Sequence, residues 1–409
     1  MKKNFYLLFP LILMEFFSAC DSRGETIKPL FICSERLDNP YGICTHINKK
    51  GIKYEYERRD SDLAMINTLA GVKNIRCGFN WEYCQPDLFK PISYKRFDTM
   101  MSSVPDSINV LRILQPLTTS FSVQEWHDYV SGVVRRYHTS GWWEVVNEVN
   151  LFYKRKKDFT IGDYEYMLKV AYMAIKKDNP AALVVCGSVS GIKDHYLDSM
   201  LVRGLQNYFD IVNIHRYVNK DREPEMLIND FRALGELLEY YHVKKTVWLT
   251  ETGCSTATGY ASEETQAQRL PRVFLISFAC GVDKAFWYKS RSNEISDDKE
   301  KHFGLWHNDF TPKPSYYAYR TLIQMCPNGS SRPKLKRNGN VYIASWERPD
   351  MKKVWAIWSP KGCKDVPLNI IGDFDCYDNN GKVITTVPDT IRVSPSVKYI
   401  VGARELLLL

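Results

Sequence analysis

Trp142-Trp143-Glu144-Val145-Val146-Asn147-Glu148-Val149-Asn150 begins as an aromatic, β-branched run and ends on the polar pair Asn147-Glu148. Such a run reads as a strand that stops where its side chains turn polar. A helical pattern follows, Asp163–Lys177, with apolar residues three and four apart and a stop at Asn179-Pro180. The same unit repeats on both sides. Before it stand the β runs Tyr41–Ile47, Val72–Phe79 and Ile108–Leu114. After it stand Leu183–Val189, Phe209–Tyr217, Thr246–Glu251 and Lys284–Tyr288. The helical stretches between them include Asp62–Ala70, closed by Gly71, and Ser122–His138, where Ser122 and Glu125 form a capping box. Glu223–Tyr241 and Ser262–Cys280 complete the set.

Strands alternating with helices in this number predict an α/β fold, a (β/α)8 TIM barrel over residues 38–327, rather than a doubly wound sheet. The phosphate-binding glycine fingerprint of a dinucleotide fold is missing at the first run, where Gly42-Ile43-Cys44-Thr45-His46 stands instead. In a barrel, chemistry belongs at the carboxyl ends of the strands. From Pro327-Asn328-Gly329-Ser330-Ser331 onward the pattern changes to strands alone. Val341–Trp346, Lys353–Trp358, Val366–Ile371, Lys382–Val387 and Ile391–Val401 predict a small C-terminal β-sandwich over 328–409. The apolar tail Leu406–Leu409 has no evident place in that pattern.

Composition sets the outer limits. With 44% hydrophobic and 25% charged residues, the 409-residue chain is globular, which excludes disordered, collagenous and multi-span membrane classes. Aromatic residues at 13% suit either ligand grooves or an aromatic core. The net charge of +8 is scattered, and its densest cluster is Lys154–Lys157. A nucleic-acid partner is therefore not expected, because such proteins gather charge on a stripe or arm.

The amino-terminal end reads as an address. Lys2 and Lys3 precede an apolar stretch, Phe5–Ala19, interrupted by Pro10 and Glu15, and Ser18-Ala19 stand directly before Cys20. This resembles a bacterial lipoprotein signal over residues 1–20, with Cys20 the acylated residue and 21–37 a tether. It predicts export across the inner membrane and a lipid anchor in the bacterial outer membrane. The 11 cysteines contain no C-x-x-C pair and no zinc-type Cys/His spacing, so no metal site is expected. Cys44, Cys77 and Cys186 sit in apolar runs and read as packing residues. Export permits disulfides, with Cys77–Cys84 and Cys363–Cys376 as candidates.

Two strand ends carry carboxylates. Besides Glu148, Glu251 stands where Val247-Trp248-Leu249-Thr250 gives way to Thr252-Gly253. A pair of carboxylates facing each other across a barrel mouth suits glycoside cleavage: one protonates the departing oxygen, the other attacks the anomeric carbon or activates water. The Asn-Glu dipeptide alone says little, since Asn293-Glu294 repeats it; the position at a strand end carries the weight.

With these residues in view, the chain resembles the retaining glycoside hydrolases of clan A, families 39 and 5. The resemblance spans about residues 40–325. It rests on Tyr-Gly-Ile-Cys-Thr-His, Asn-Ile-Arg, Glu-Val-Val-Asn-Glu-Val-Asn, Ile-His-Arg-Tyr, Leu-Thr-Glu-Thr-Gly, Phe-Trp-Tyr and Pro-Lys-Pro-Ser-Tyr-Tyr-Ala-Tyr. It implies Glu148 as acid/base and Glu251 as nucleophile of a glycosidase acting on an oligosaccharide or glycan. Asn147 would hold the sugar 2-hydroxyl, Arg76 and Tyr217 would donate to Glu251, and His46 and His215 would line the sugar subsite. Trp287 would form the floor under a sugar ring. Trp81 and Trp306 are further candidates for substrate contact, each with a packing role as the alternative. No cofactor is implied. Facing a second negative charge in a partly dry cleft, Glu148 is expected to titrate high. Val149 stands where the family usually has proline, and Val146 where it often has tryptophan. Two alternatives remain at this level: a catalytically silent glycan-binding lipoprotein using the same cleft, and an inverting hydrolase.

Overall fold

The protein, in a computed structural model, is described over residues 24–47, 62–117, 121–138, 141–151, 159–191, 195–385 and 390–408. The signal segment with Cys20, and the Lys154–Lys157 cluster, lie outside the described residues. After a short β1 (Glu25–Ile27) come β2 (Tyr41–Cys44), β3 (Asn74–Asn80), β4 (Asn109–Gln115), β5 (Trp142–Val145) and β6 (Leu183–Val185). Next are β7 (Val189–Ser190), β8 (Ile211–His215), β9 (Thr246–Thr252) and β10 (Val282–Trp287). From β2 onward these strands pair in parallel and β10 returns to β2. β6 and β7 are two pieces of one barrel strand, both paired with β8. The product is the closed eight-stranded parallel barrel that the sequence predicts.

Strand alternation explains how the barrel buries both its faces. Inside, Cys44, Leu111, Val185, Ile211, Trp248 and Phe286 form an apolar plug. Their neighbours one place away, among them Ile43, Val110, Val184, Val212, Val247 and Ala285, face outward into the main core beneath the helices. Two residues beyond plug positions, the interior turns polar: Trp142 gives way to Glu144, and Ile211 to Asn213 and His215. The functional groups thus stand on an apolar base. Around it, the helix Val123–Arg136 starts with the expected Ser122/Glu125 capping box. No helix among the described residues is long and apolar enough to cross a membrane.

The carboxyl-terminal part holds β11 (Lys334–Asn338), β12 (Val341–Glu347), β13 (Lys353–Trp358), β14 (Lys364–Ile371), β15 (Asp375–Tyr377), β16 (Thr390–Val393), β17 (Lys398–Val401) and β18 (Glu405–Leu408). A six-stranded sheet, β1-β11-β12-β13-β17-β15, faces a three-stranded one, β16-β14-β18. On β13, Val354, Ala356 and Trp358 pack against the barrel helices, while Trp355 and Ile357 face the smaller sheet. The Trp358 indole donates to Glu225 at 2.7 Å and fastens the two parts together.

Several expectations need correction. Residues 24–37 are not a loose tether: β1 pairs with β11, and Ile27, Phe31 and Leu37 are buried. The run Ile391–Val401 is two strands, parted at Ser394-Pro395-Ser396, where proline supplies no N–H for a ladder. At 382–385 only an isolated bridge from Val383 to Tyr377 is found. The leucine-rich tail has a place after all, as β18 pairs with β14 and Leu406 packs on the sandwich core. All ten described cysteines are free, so neither candidate disulfide is formed.

Candidate active site

β5 ends at Val145, and the chain then makes an irregular turn. Val146 and Glu148 take positive φ values of 69° and 43°, a costly conformation for a β-branched residue. The neighbouring strands hold this turn in place. The Val146 N–H donates to the Leu114 carbonyl at 3.1 Å, and the Asn147 N–H to Gln115 Oε1 at 2.9 Å. On the other side, the Glu148 N–H donates to Ser188 Oγ at 2.8 Å and the Val149 N–H to the Ser188 carbonyl at 3.0 Å. A proline at 149 would have no N–H to give. Val149 therefore supplies a hydrogen bond that proline at this position could not.

Arg76, from the inner face of β3, gathers the carboxylates. Its Nε and Nη2 donate to the two oxygens of Glu144 at 2.7 and 2.8 Å, a bidentate fork. Nη1 donates to Glu251 Oε1, and Nη2 also reaches Asn147 Oδ1 at 2.6 Å. The second oxygen of Glu251 accepts from the Tyr217 hydroxyl at 2.5 Å. His215 Nδ1 lies 3.2 Å from Glu148 Oε1 and 3.5 Å from Glu251 Oε2. Its Nε2 is 3.0 Å from Thr250 Oγ1, whose own proton goes to Asn213 Oδ1 at 2.6 Å. The Thr250 oxygen must then accept, so Nε2 carries a hydrogen and Nδ1 faces the carboxylates.

The charges shape one another. Burial works against the Arg76 cation, but Glu144 and Glu251 outweigh it and hold the guanidinium well above its ordinary range. Burial, followed by the charge of Glu251, raises the Tyr217 phenol well above its usual value. Glu148 departs from the sequence expectation. Burial pushes its carboxyl up, yet the His215 hydrogen bond and charge, a Ser190 hydrogen bond and the Arg76 charge together bring it below the ordinary glutamate value. The histidine between the two carboxylates is what the expectation left out.

Above this cluster opens a cavity of about 630 Å³, within the size range of small-molecule sites. His46, Arg76, Asn147, Glu148, Tyr217 and Glu251 line it. His215 lies beneath them, 1% exposed. The three tryptophans do not reach the cavity. On β10, Phe286 and Tyr288 face the barrel interior, so alternation turns Trp287 outward into the core, fully buried. Trp81 stacks on Tyr129, ring centroids 5.0 Å apart. Trp306 packs on Tyr316 at 5.4 Å. The aromatic walls are instead Tyr83, Tyr217, Tyr288 and Phe303. Glu144 was also missed as a site residue, though an acidic residue inside an apolar run had to have a buried partner.

No protein-family profile matches the chain, and no curated protein sequence does. Among solved structures, it is similar to a family 39 glycoside hydrolase from the gut symbiont Bacteroides cellulosilyticus WH2. The identity is 22% and the TM-score 0.73, with 92% of this chain and 83% of that one covered. It is also similar to a monomeric β-xylosidase from Caulobacter crescentus CB15, at 15% identity and a TM-score of 0.64, covering 91% and 98%. A third is the catalytic domain of the family 30 xylanase C from Talaromyces cellulolyticus, at 12% identity and a TM-score of 0.58, covering 93% and 99%. At these identities the likeness establishes a shared fold.

Proposed function

We propose that the protein is a retaining β-glycosidase that hydrolyses an O-glycosidic bond of an oligosaccharide or glycan by double displacement. The observation that carries this reading is the convergence of Glu148 and Glu251 on His215, with one donor atom of each of the three within 4.8 Å of the others. With an oxygen of each carboxylate this close, the pair sits nearer the carboxyl separation of about 5–5.5 Å typical of retention than the roughly 6.5–9.5 Å that inversion needs to admit a water. Glu251, fixed by Arg76 and Tyr217, attacks the anomeric carbon as the glycosidic bond breaks. Glu148 passes its proton to the departing oxygen. In the second step Glu148 takes a proton from water, whose oxygen displaces Glu251 from the sugar and restores both groups. Arg76 occupies Asn147 Oδ1, which leaves Asn147 Nδ2 to donate to a sugar hydroxyl.

The xylosidase and xylanase among the similar structures make β-xylosides the first substrates to try. A panel of p-nitrophenyl β-glycosides, beginning with the xyloside, should give hydrolysis in which NMR sees the β-anomer of the free sugar first. The α-anomer first would mean inversion. Binding of xylo-oligosaccharides with no turnover on the panel would favour a silent glycan receptor. We infer further that the chain is exported and acylated at Cys20, on the support of Lys2-Lys3, the apolar Phe5–Ala19 and Ser18-Ala19-Cys20. Cells fed labelled palmitate should label the wild type and not Cys20→Ser.

A further inference from the structure

We propose that Glu148, His215 and Glu251 form a chelating site for a divalent transition ion of the zinc class, which blocks the cleft when it binds. The argument begins from spacing. Ligands about 2.1 Å from a tetrahedral zinc ion stand about 3.4 Å from one another. His215 Nδ1 lies 3.2 Å from a Glu148 oxygen and 3.5 Å from a Glu251 oxygen. Those two edges of the tetrahedron are already present without rearrangement, and the third, between the carboxylates, is within 4.8 Å.

The outer partners fit as well. A metal-binding imidazole usually donates its second N–H to an oxygen, which fixes the ring and its tautomer. Here Thr250 Oγ1 takes the Nε2 hydrogen at 3.0 Å, and Thr250 is itself held by Asn213 at 2.6 Å. The His215 side chain is fully buried, so the ring is held by packing as well. The Glu251 oxygen that would bind the ion also accepts from Tyr217, and a carboxylate oxygen has lone pairs for both.

Charge favours a dication. Glu144, Glu148 and Glu251 gather around the single guanidinium of Arg76. With the imidazole neutral, as a metal ligand is, the base of the cleft carries two negative charges in excess when all three carboxylates are ionised. Lys299, the nearby lining cation, is 3.6 Å from Glu300 and so faces a carboxylate of its own. Imidazole with two carboxylates is a donor set for zinc-class ions rather than for calcium, which takes oxygen ligands alone. A fourth position would open into the cavity. Sequence spacing could not show this site, because its three ligands come from β8, the end of β9 and the turn after β5.

An ion held there ties up both carboxylates that the proposed hydrolysis uses, so it competes with substrate. The site itself does not depend on that reaction, and the test measures binding directly. The full chain is dialysed to equilibrium against Zn2+, and bound zinc per chain is counted for wild type, Glu148→Gln and His215→Ala, with circular dichroism checking each fold. Cysteine thiols such as exposed Cys363 bind zinc equally in all three, so the difference is the reading. Wild type should hold one zinc ion more than either variant, and Co2+ in its place should give visible absorption in wild type beyond the thiol-bound background shared by all three. Glu148→Gln keeps the shape of the site and stands in should His215→Ala fail to fold. Equal zinc content in wild type and Glu148→Gln would overturn the proposal. So would zinc bound at that extra site while p-nitrophenyl glycosides are turned over with unchanged KM.

Discussion

Two buried arginines on adjacent strands meet opposite fates. Arg76 on β3 and Arg112 on β4 are 3% and 0% exposed and lie one register step apart, Arg76 beside Leu111 and Arg112 beside Cys77. Alternation sends the first into the barrel and the second out beneath the helices. Inside, Arg76 meets Glu144, Glu251 and Asn147. Outside, Arg112 lies over the rings of Phe79 and Trp143, at 5.5 and 5.2 Å, with no carboxylate partner among the described residues. Burial accordingly lowers Arg112 to about 10, whereas Arg76 is raised. Burial alone therefore does not mark a functional charge; the carboxylates collected around it do.

Arg76→Met should break the inner cluster most severely. It leaves Glu144 and Glu251 without their cation, at a cost of about 3–5 kcal/mol of folding stability. A urea midpoint showing a loss under about 1 kcal/mol would mean that the carboxylates find other partners. Arg112→Met removes a buried charge that has no ion pair. Urea unfolding should place it within about 1 kcal/mol of wild type, since the lost ring contacts are offset by the desolvation no longer required. A loss as large as that of Arg76→Met would erase the distinction between the two faces.

The inner cluster also sets a pH dependence. A proton donor held below the ordinary glutamate value is lost at lower pH, so the alkaline limb of kcat/KM should lie on the acid side of the usual carboxylate range. Removing the His215 contact in His215→Ala takes away its lowering influence and should move that limb to higher pH. A limb that stays put would assign it to another group. A small effect on stability is also expected from Val149→Pro, which deletes one hydrogen bond to the Ser188 carbonyl. A stability loss of about 1 kcal/mol, with a lower kcat from the displaced Glu148, is the expected outcome in chemical unfolding and steady-state rates.

Much of the barrel was legible because parallel strands buried on both faces are written as short apolar runs, and their carboxyl ends carry the polar residues. Glu148 and Glu251 could be named on that ground, whereas Arg76 and Tyr217 came from the resemblance. The tryptophans could not be placed. Whether Trp287 or Tyr288 faces the cavity depends on a single step of alternation, and the extent of a strand read from sequence does not fix it. His215 was read as a lining residue, but its position between the carboxylates depends on a register shift beside Ile214, which pairs His215 with Glu251. The place of the leucine-rich tail was hidden for another reason: its partner, β14, lies well back in the chain, as the middle strand of a small sheet.

The central claim is that Glu251 becomes covalently bound to sugar while Glu148 does not. A 2-deoxy-2-fluoro-β-xyloside with a dinitrophenolate leaving group should slow the second step enough to trap the adduct. Peptide mass spectrometry should then find one fluoroxylosyl group on the peptide carrying Glu251, and none on Glu251→Gln. A label on Glu148, or turnover of the parent xyloside by Glu251→Gln at the wild-type rate, would contradict it.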